Sequence, residues 1–243
     1  KASYQALMEK ELNKTINEKI ILDKKLLSLT NEISRSIKKI YTTLKRGGKI
    51  FLCGNGGSAA DAQHLSAEFL VRLRPNVNRR PLPVISLALD TSTITACGND
   101  LGFDKLFERN LNALGTKKDL LITLSTSGKS QNILNVLKYA KKNKIFSISF
   151  LGNNGGNAKK LSNLNMIVPS SNTARIQESH IFMGHFIFEQ VENTGAIDPD
   201  LHHYNQQTPY LMKIIKVPKR FVSRVKTDGS LQIQFGAGST GGS

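Results

Sequence analysis

From position 4 to about 44, apolar residues recur every three or four positions (Leu7, Leu12, Ile16, Ile20, Leu22, Leu26, Leu29, Ile33, Ile37, Ile40, Leu44), which is the period of an amphipathic helix. The stretch is long enough to predict two consecutive helices. The pattern then changes to short, continuous apolar runs at 49–53, 84–89, 120–124, 145–151 and 165–168. Each of the first four leads into a turn bearing Gly, Ser, Thr or Asn and then into a helix-like segment. These helices are predicted over 59–72, 91–97 with 104–114, 130–142 and 156–162, with a last one from 173 to about 192. Strands that are apolar throughout need cover on both faces, and alternation with helices supplies it. The pattern therefore predicts an α/β fold, a doubly wound parallel five-stranded sheet preceded by N-terminal helices.

Beyond 193 the character changes. Asp198-Pro199-Asp200, Gln206-Gln207-Thr208-Pro209 and a closing Gly/Ser run punctuate strand-like runs at 211–217, 221–225 and 231–235. A turn at Thr227-Asp228-Gly229-Ser230 would fold the last two runs into a hairpin. The chain thus reads as a domain over 1–193 and a β-rich tail over 194–243. The tail carries no recognisable chemistry and reads as an appendage, an interaction arm or a fused segment.

With 243 residues and 39% hydrophobic content, the chain can bury one well-packed core. Cys53 and Cys97 lie in or beside apolar stretches without a CxxC pair, as small buried residues of a reducing compartment do. No apolar run approaches the roughly 18 residues of a membrane span, so a soluble, cytoplasmic protein is expected. The net charge of +16 raises a nucleic-acid reading. Residues 1–49 hold 12 Lys/Arg against 5 Asp/Glu, and residues 194–243 hold 6 against 3. The first set falls mostly on the polar face of a helical pattern. A solvated basic surface that also attracts anionic substrates explains the charge more simply than a nucleic-acid site.

Candidate chemistry begins at Gly54-Asn55-Gly56-Gly57-Ser58, between an apolar run and a helix-like segment. Such a strand-to-helix turn brings backbone amides and the positive end of a helix to an anion. Ser125-Thr126-Ser127-Gly128 with Ser130 is a second loop of this kind. Its hydroxyls suit a phosphate monoester, although N-capping would use some of them. Neither a GxGxxG register nor GxxxxGK[ST] is present, which sets aside dinucleotide and nucleoside-triphosphatase sites. His64 and Glu68 are four apart and share a helix face. They can form a general acid/base pair, a pair of metal ligands or an ordinary surface hydrogen bond. The last helix adds Gln177, His180 and His185 as residues able to border the same pocket.

The runs GNGGSAADAQHLSAEF, CGNDLGFDKLF, STSGKSQN, ARIQESH and GHF, in this order, resemble the sugar isomerase (SIS) domain family, most closely its sedoheptulose-7-phosphate isomerase branch. The likeness spans about residues 4–192. It implies a flavodoxin-like fold and an aldose–ketose isomerase acting through an enediol, making D-glycero-D-manno-heptose 7-phosphate for lipopolysaccharide or capsule heptose. It implies Glu68 as catalytic base and His185 as its acid/base partner. His64, Glu68, Gln177 and His185 match residues that hold a zinc ion in some members. Asn55, Gly56, Ser58, Ser125, Thr126, Ser127 and Ser130 match substrate and phosphate contacts, with Arg72, Asp100 and Gln177 as further polar pocket positions. Homotetramers with interfacial active sites are typical of the family. The rival reading is a non-catalytic SIS-type binding protein, such as a replication-initiator-associating factor or a sugar-phosphate sensor. Those relatives lack the carboxylate and the second imidazole that Glu68 and His185 supply here.

Overall fold

The computed structural model describes residues 3–77, 79–88, 90–197, 224–225 and 231–232. Two compact units, Lys1–Tyr204 and Asn205–Ser243, divide the chain. The first opens with α1 (Tyr4–Lys25), a 3-10 turn (Leu26–Leu29) and α2 (Thr30–Lys45). It continues through β1 (Ile50–Gly54), α3 (Gly57–Leu70), β2 (Val84–Ser86), α4 (Thr91–Asp100), a 3-10 turn (Phe103–Lys105) and α5 (Leu106–Leu114). β3 (Leu120–Ser125), α6 (Gln131–Lys142), β4 (Phe146–Gly152), β5 (Leu164–Val168) and α7 (Thr173–Ile197) complete it.

All five strands pair in parallel in the order β2-β1-β3-β4-β5. β1 and β3 are buried along their whole length, as the continuous apolar runs require. Alternate residues feed two cores: Ile50 and Leu52 pack with residues of α2, α3 and α7, while Phe51 and Cys53 pack with residues of α4, α5 and α6. Both cysteines are free and buried. The sheet order reverses between β1 and β3, so the turns leaving these neighbouring strands open side by side at their carboxyl ends. That is where parallel sheets bind ligands.

One expectation changes. The helix expected over 156–162 is one 3-10 turn, Ala158–Lys160. Asn153, Gly155 and Gly156 just before it have positive φ, a backbone that leaves no room for a full helical start. The N-terminal helices form, but α1 buries only Leu22. Leu12 and Ile16 remain 61% and 46% exposed, so the apolar face of α1 has no partner among the described residues. None of the described helices is long and apolar enough to cross a membrane.

In the second unit, β6 (Arg224–Val225) pairs antiparallel with β7 (Leu231–Gln232), the pairing expected of a hairpin around 227–230. The run at 211–217 lies outside the described residues.

Candidate active site

The two anion-type turns are joined. Asn55, just after β1, and Asn132, in the first turn of α6, exchange amide hydrogen bonds of 2.9 and 2.8 Å. The N-cap residues Gly56 and Ser130 make no side-chain cap bond and neither helix has an acidic residue in its first turn, although Asn132 Oδ1 accepts from the Ile133 amide of α6 at 2.9 Å. Both helices therefore present positive ends that no first-turn acid offsets. Ser125 Oγ accepts from the Gly128 amide at 3.1 Å and Ser127 Oγ from the Lys129 amide at 3.2 Å, which shapes the second loop. Ser58 is buried in the first turn of α3, and Thr126 and Ser130 are half-buried. Ser127 also lines a cavity of about 520 Å³ with Lys129, Asn153 and Ser170.

Helices α3 and α7 run side by side in the same direction. Gln177 meets Gly57, Gly184 meets Leu65 and Phe188 meets Phe69. A Cβ at Gly184 would lie 2.7 Å from Leu65 Cδ1, so only glycine there lets α7 come this close. The next residue, His185, is thereby delivered to α3. Its Nε2 is 2.9 Å from His64 Nε2, and His64 Nε2 is 3.3 Å from Glu68 Oε1. The helical spacing of His64 and Glu68 thus does make one cluster, completed by a residue far along the chain.

The cluster is half-open, with the side chains of His64 and Glu68 49% and 19% exposed. Partial burial lowers the His185 pKa, as does the His64 charge, while Glu68 and Glu189 oppose the shift. One ring nitrogen of His64 faces both a carboxylate oxygen and another ring nitrogen. A single proton cannot satisfy all three lone-pair atoms linearly.

The donor set fits a metal ion. One atom each from His64, Glu68 and His185 lie within 4.8 Å of one another. Tetrahedral zinc with bonds of about 2.0–2.1 Å sets its ligand atoms roughly 3.4 Å apart, close to the spacings seen. Gln177 sits two turns earlier on α7, its amide packed on Gly57 at the start of α3, where an added Cβ would be 2.7 Å from Nε2.

Two expected residues stand apart from this cluster in the single chain. Arg72 is exposed and donates to Pro75 O at 3.1 Å. Asp100 is exposed at the end of α4, where it accepts from Asn99 at 2.7 Å. His180 is a packing residue: it is fully buried, its Nε2 meets Leu151 O at 3.1 Å, and burial lowers its pKa to about 4. On an apolar helix the imidazole one turn away from the site faced the core.

Sequence reading missed four residues. Asn132 had a local signal, an amide in the turn that follows the Ser/Thr run. Asp61 had one too, three residues before His64. Its pKa is raised by burial, against the His64 charge, and its Oδ2 is buried without a partner. Arg79 and Glu192 gave no signal. Arg79 donates to Glu68 O at 2.7 Å, to Phe69 O at 2.8 Å and to Glu192 Oε1 at 2.6 Å. It closes the carboxyl end of α3, where Glu68 sits, and ties it to α7.

Comparison with known proteins places the family and the fold. The SIS domain model matches residues 18–152. Phosphoheptose isomerase from Pelodictyon phaeoclathratiforme is 44% identical over 191 residues, covering 74% of this chain and 90% of that protein. The chain belongs to the phosphoheptose isomerase family of SIS-domain proteins. Two solved members share its fold. Phosphoheptose isomerase from Neisseria gonorrhoeae is 33% identical with a TM-score of 0.71, covering 76% of this chain and 99% of its own. A phosphoheptose isomerase from Francisella tularensis is 33% identical with a TM-score of 0.73, covering 76% and 98%.

Proposed function

We propose that this protein is an aldose–ketose isomerase that converts sedoheptulose 7-phosphate to D-glycero-D-manno-heptose 7-phosphate. The observation that carries the reading is the meeting of Glu68, His64 and His185 across α3 and α7, in the same layer as the β1–α3 turn. Isomerisation moves one proton from C1 to C2 and another between the two oxygens. Glu68 takes the proton from C1, leaving an enediol, and returns it to C2. His185 shuttles the hydroxyl proton between O2 and O1 and steadies the charge that develops on oxygen. The β1–α3 turn and the β3–α6 loop hold the sugar phosphate through Asn55, Gly56, Ser58, Ser125, Thr126, Ser127 and Ser130.

His64, Glu68 and His185 would hold a zinc ion, with Gln177 as the further ligand that the family resemblance adds. Bound there, the metal supplies Lewis-acid polarisation of the substrate oxygens. Metal analysis of the purified protein tests this.

A homotetramer with active sites between subunits is the assembly this reading includes. The unpartnered apolar face of α1 supports it, as do the half-open cluster and the exposed positions of Arg72 and Asp100, which can serve a neighbour's site. Leu12→Glu with Ile16→Glu is expected to dissociate the assembly in sedimentation velocity, and an unchanged mass would remove α1 from the interface.

The direct test is incubation with sedoheptulose 7-phosphate, following aldose formation. Absence of turnover with tight binding of the sugar phosphate would favour the non-catalytic reading. Retention of both Glu68 and His185, in contact range of one another through His64, favours the enzyme.

A further inference from the structure

At the amino ends of β3 and β4, on the opposite edge of the layers from the candidate active site, lies a cavity of about 670 Å³. Its walls carry Lys39 and Arg46 from α2 and its end, Lys117 and Lys118 before β3, and Lys141 and Lys144 at the end of α6. The lone acid in the wall, Asp119, is already satisfied: Lys49 Nζ lies at 3.1 Å, and the Lys49 and Thr116 amides each donate at 2.7 Å. Among the described residues none of the six cations forms an ion pair, and Lys39 Nζ instead lies 4.4 Å from the Phe146 ring centroid.

Cations at the carboxyl ends of helices have an ordinary explanation, since they offset the helix dipole. That covers Arg46 and Lys141. It does not cover Lys117 and Lys118, which precede a strand, nor the backbone of Lys144. Ile145 N bonds Ala140 O at 2.9 Å and Lys144 N bonds Lys141 O at 3.3 Å, the closing pattern that favours glycine at the residue between. Lys144 occupies that residue with φ +58. A strained lysine stands where glycine would be comfortable, and its side chain lines the cavity.

We infer that this cleft is a binding site for a compact anion carrying two or more phosphoryl groups, of the inorganic triphosphate or nucleoside triphosphate class. Six cations without an ion-pair partner among the described residues, Lys39 half-buried and the other five exposed, converge on one concave surface and focus a field that one phosphate monoester leaves largely unbalanced. The volume suits a small ligand, whereas a nucleic-acid duplex needs a broad surface on the order of 1,000 Å² or more. The site is separate from the sugar-phosphate loops: β3 runs from its rim at Leu120 to Ser125, roughly 17–20 Å.

Isothermal titration of the full chain with sodium triphosphate, and separately with ATP, at low ionic strength tests the inference. Saturable binding of one equivalent per chain is expected, weakening steeply with added salt. Equal affinity for the two ligands assigns recognition to the phosphates alone, and tighter ATP binding adds a contact to the nucleoside. Lys141→Gln with Lys144→Gly is expected to weaken binding by about tenfold or more, while Ser125→Ala leaves it unchanged. Lys144→Gly alone relieves the backbone strain, so the unliganded protein should melt roughly 2–4 °C higher even as it binds triphosphate less well. Absence of saturable binding overturns the inference, as does unaltered affinity in the double variant or a loss confined to Ser125→Ala. Displacement of triphosphate by duplex DNA at lower concentration would assign the cleft to nucleic acid instead.

Discussion

Helix α7 meets α3 and the loop that follows it through two charged clusters, one around His185 and one around Glu192, two turns further on. Around Glu192 both carboxylate oxygens are taken, by Arg79 Nε at 2.6 Å and Arg74 Nε at 3.0 Å, and the Glu192 side chain is wholly buried. Arg79 spends its remaining donors on backbone carbonyls. Around His185 the polar atoms are nearly as close, but they present lone pairs to one another and stay half-open. The Glu192 carboxylate has both oxygens bonded and does its work by holding α7 to α3 and the loop after it. The His185 cluster is complete only when something with an electron-poor centre or a transferable proton enters it. Proximity of charged groups is thus a poor guide to catalysis, and unmet bonding capacity is a better one.

The largest effect should come from the open cluster. Glu68→Gln keeps the shape and removes the proposed base, and turnover is expected to fall by about 10²–10⁴-fold with little change in melting temperature. His185→Ala should act in the same direction. Full activity in both variants would erase the distinction drawn here. The closed cluster should answer in the opposite currency. Glu192→Ala leaves Arg79 buried without its carboxylate and is expected to cost about 3–5 kcal/mol of stability in urea unfolding. If stability hardly moved and turnover collapsed instead, the two clusters would have exchanged roles.

A third imidazole on α7 sharpens the contrast by depth alone. His180 is buried with its pKa lowered to about 4, below the roughly 6.5 of an exposed histidine. The unfolded chain therefore takes up a proton first as pH falls. The His180 contribution to stability should be full above about pH 6.5, decline by about 3 kcal/mol toward pH 4, and change no further below, where both states are protonated. His180→Gln should flatten that limb of the unfolding curve. The smallest expected effect is at the helix contact itself. Gly184→Ala forces a methyl onto Leu65, costing about 1–3 kcal/mol, and should weaken binding of the proposed zinc ion more than His180→Gln does.

The sheet was legible because its strands are short, mostly apolar runs, and the central ones, β1 and β3, are buried throughout, the pattern of strands covered on both faces. The two turns were legible for a similar reason, since glycine and hydroxyl residues cluster between such runs. His64 and Glu68 could be paired by helical spacing. What spacing cannot show is which face of a helix meets which neighbour. It could not separate His180 from His185, nor show that Leu12 and Ile16 stay exposed. Arg79 and Glu192 are 113 positions apart, and only the packing of α7 beside α3 brings them into contact. The helix expected over 156–162 failed because paired glycines impose a left-handed backbone, a local veto that the apolar count ignored.

The Asn55–Asn132 amide pair also bears on how the protein ages. Asn55 precedes Gly56, and an asparagine followed by glycine is prone to spontaneous loss of ammonia, when the next backbone nitrogen attacks the side-chain carbonyl. The reciprocal pairing holds that side chain away from such attack for as long as the two turns stay joined. Once it slips, an aspartate can replace the amide, half of the pair is lost, and a negative charge stands in the turn proposed to receive an anionic substrate.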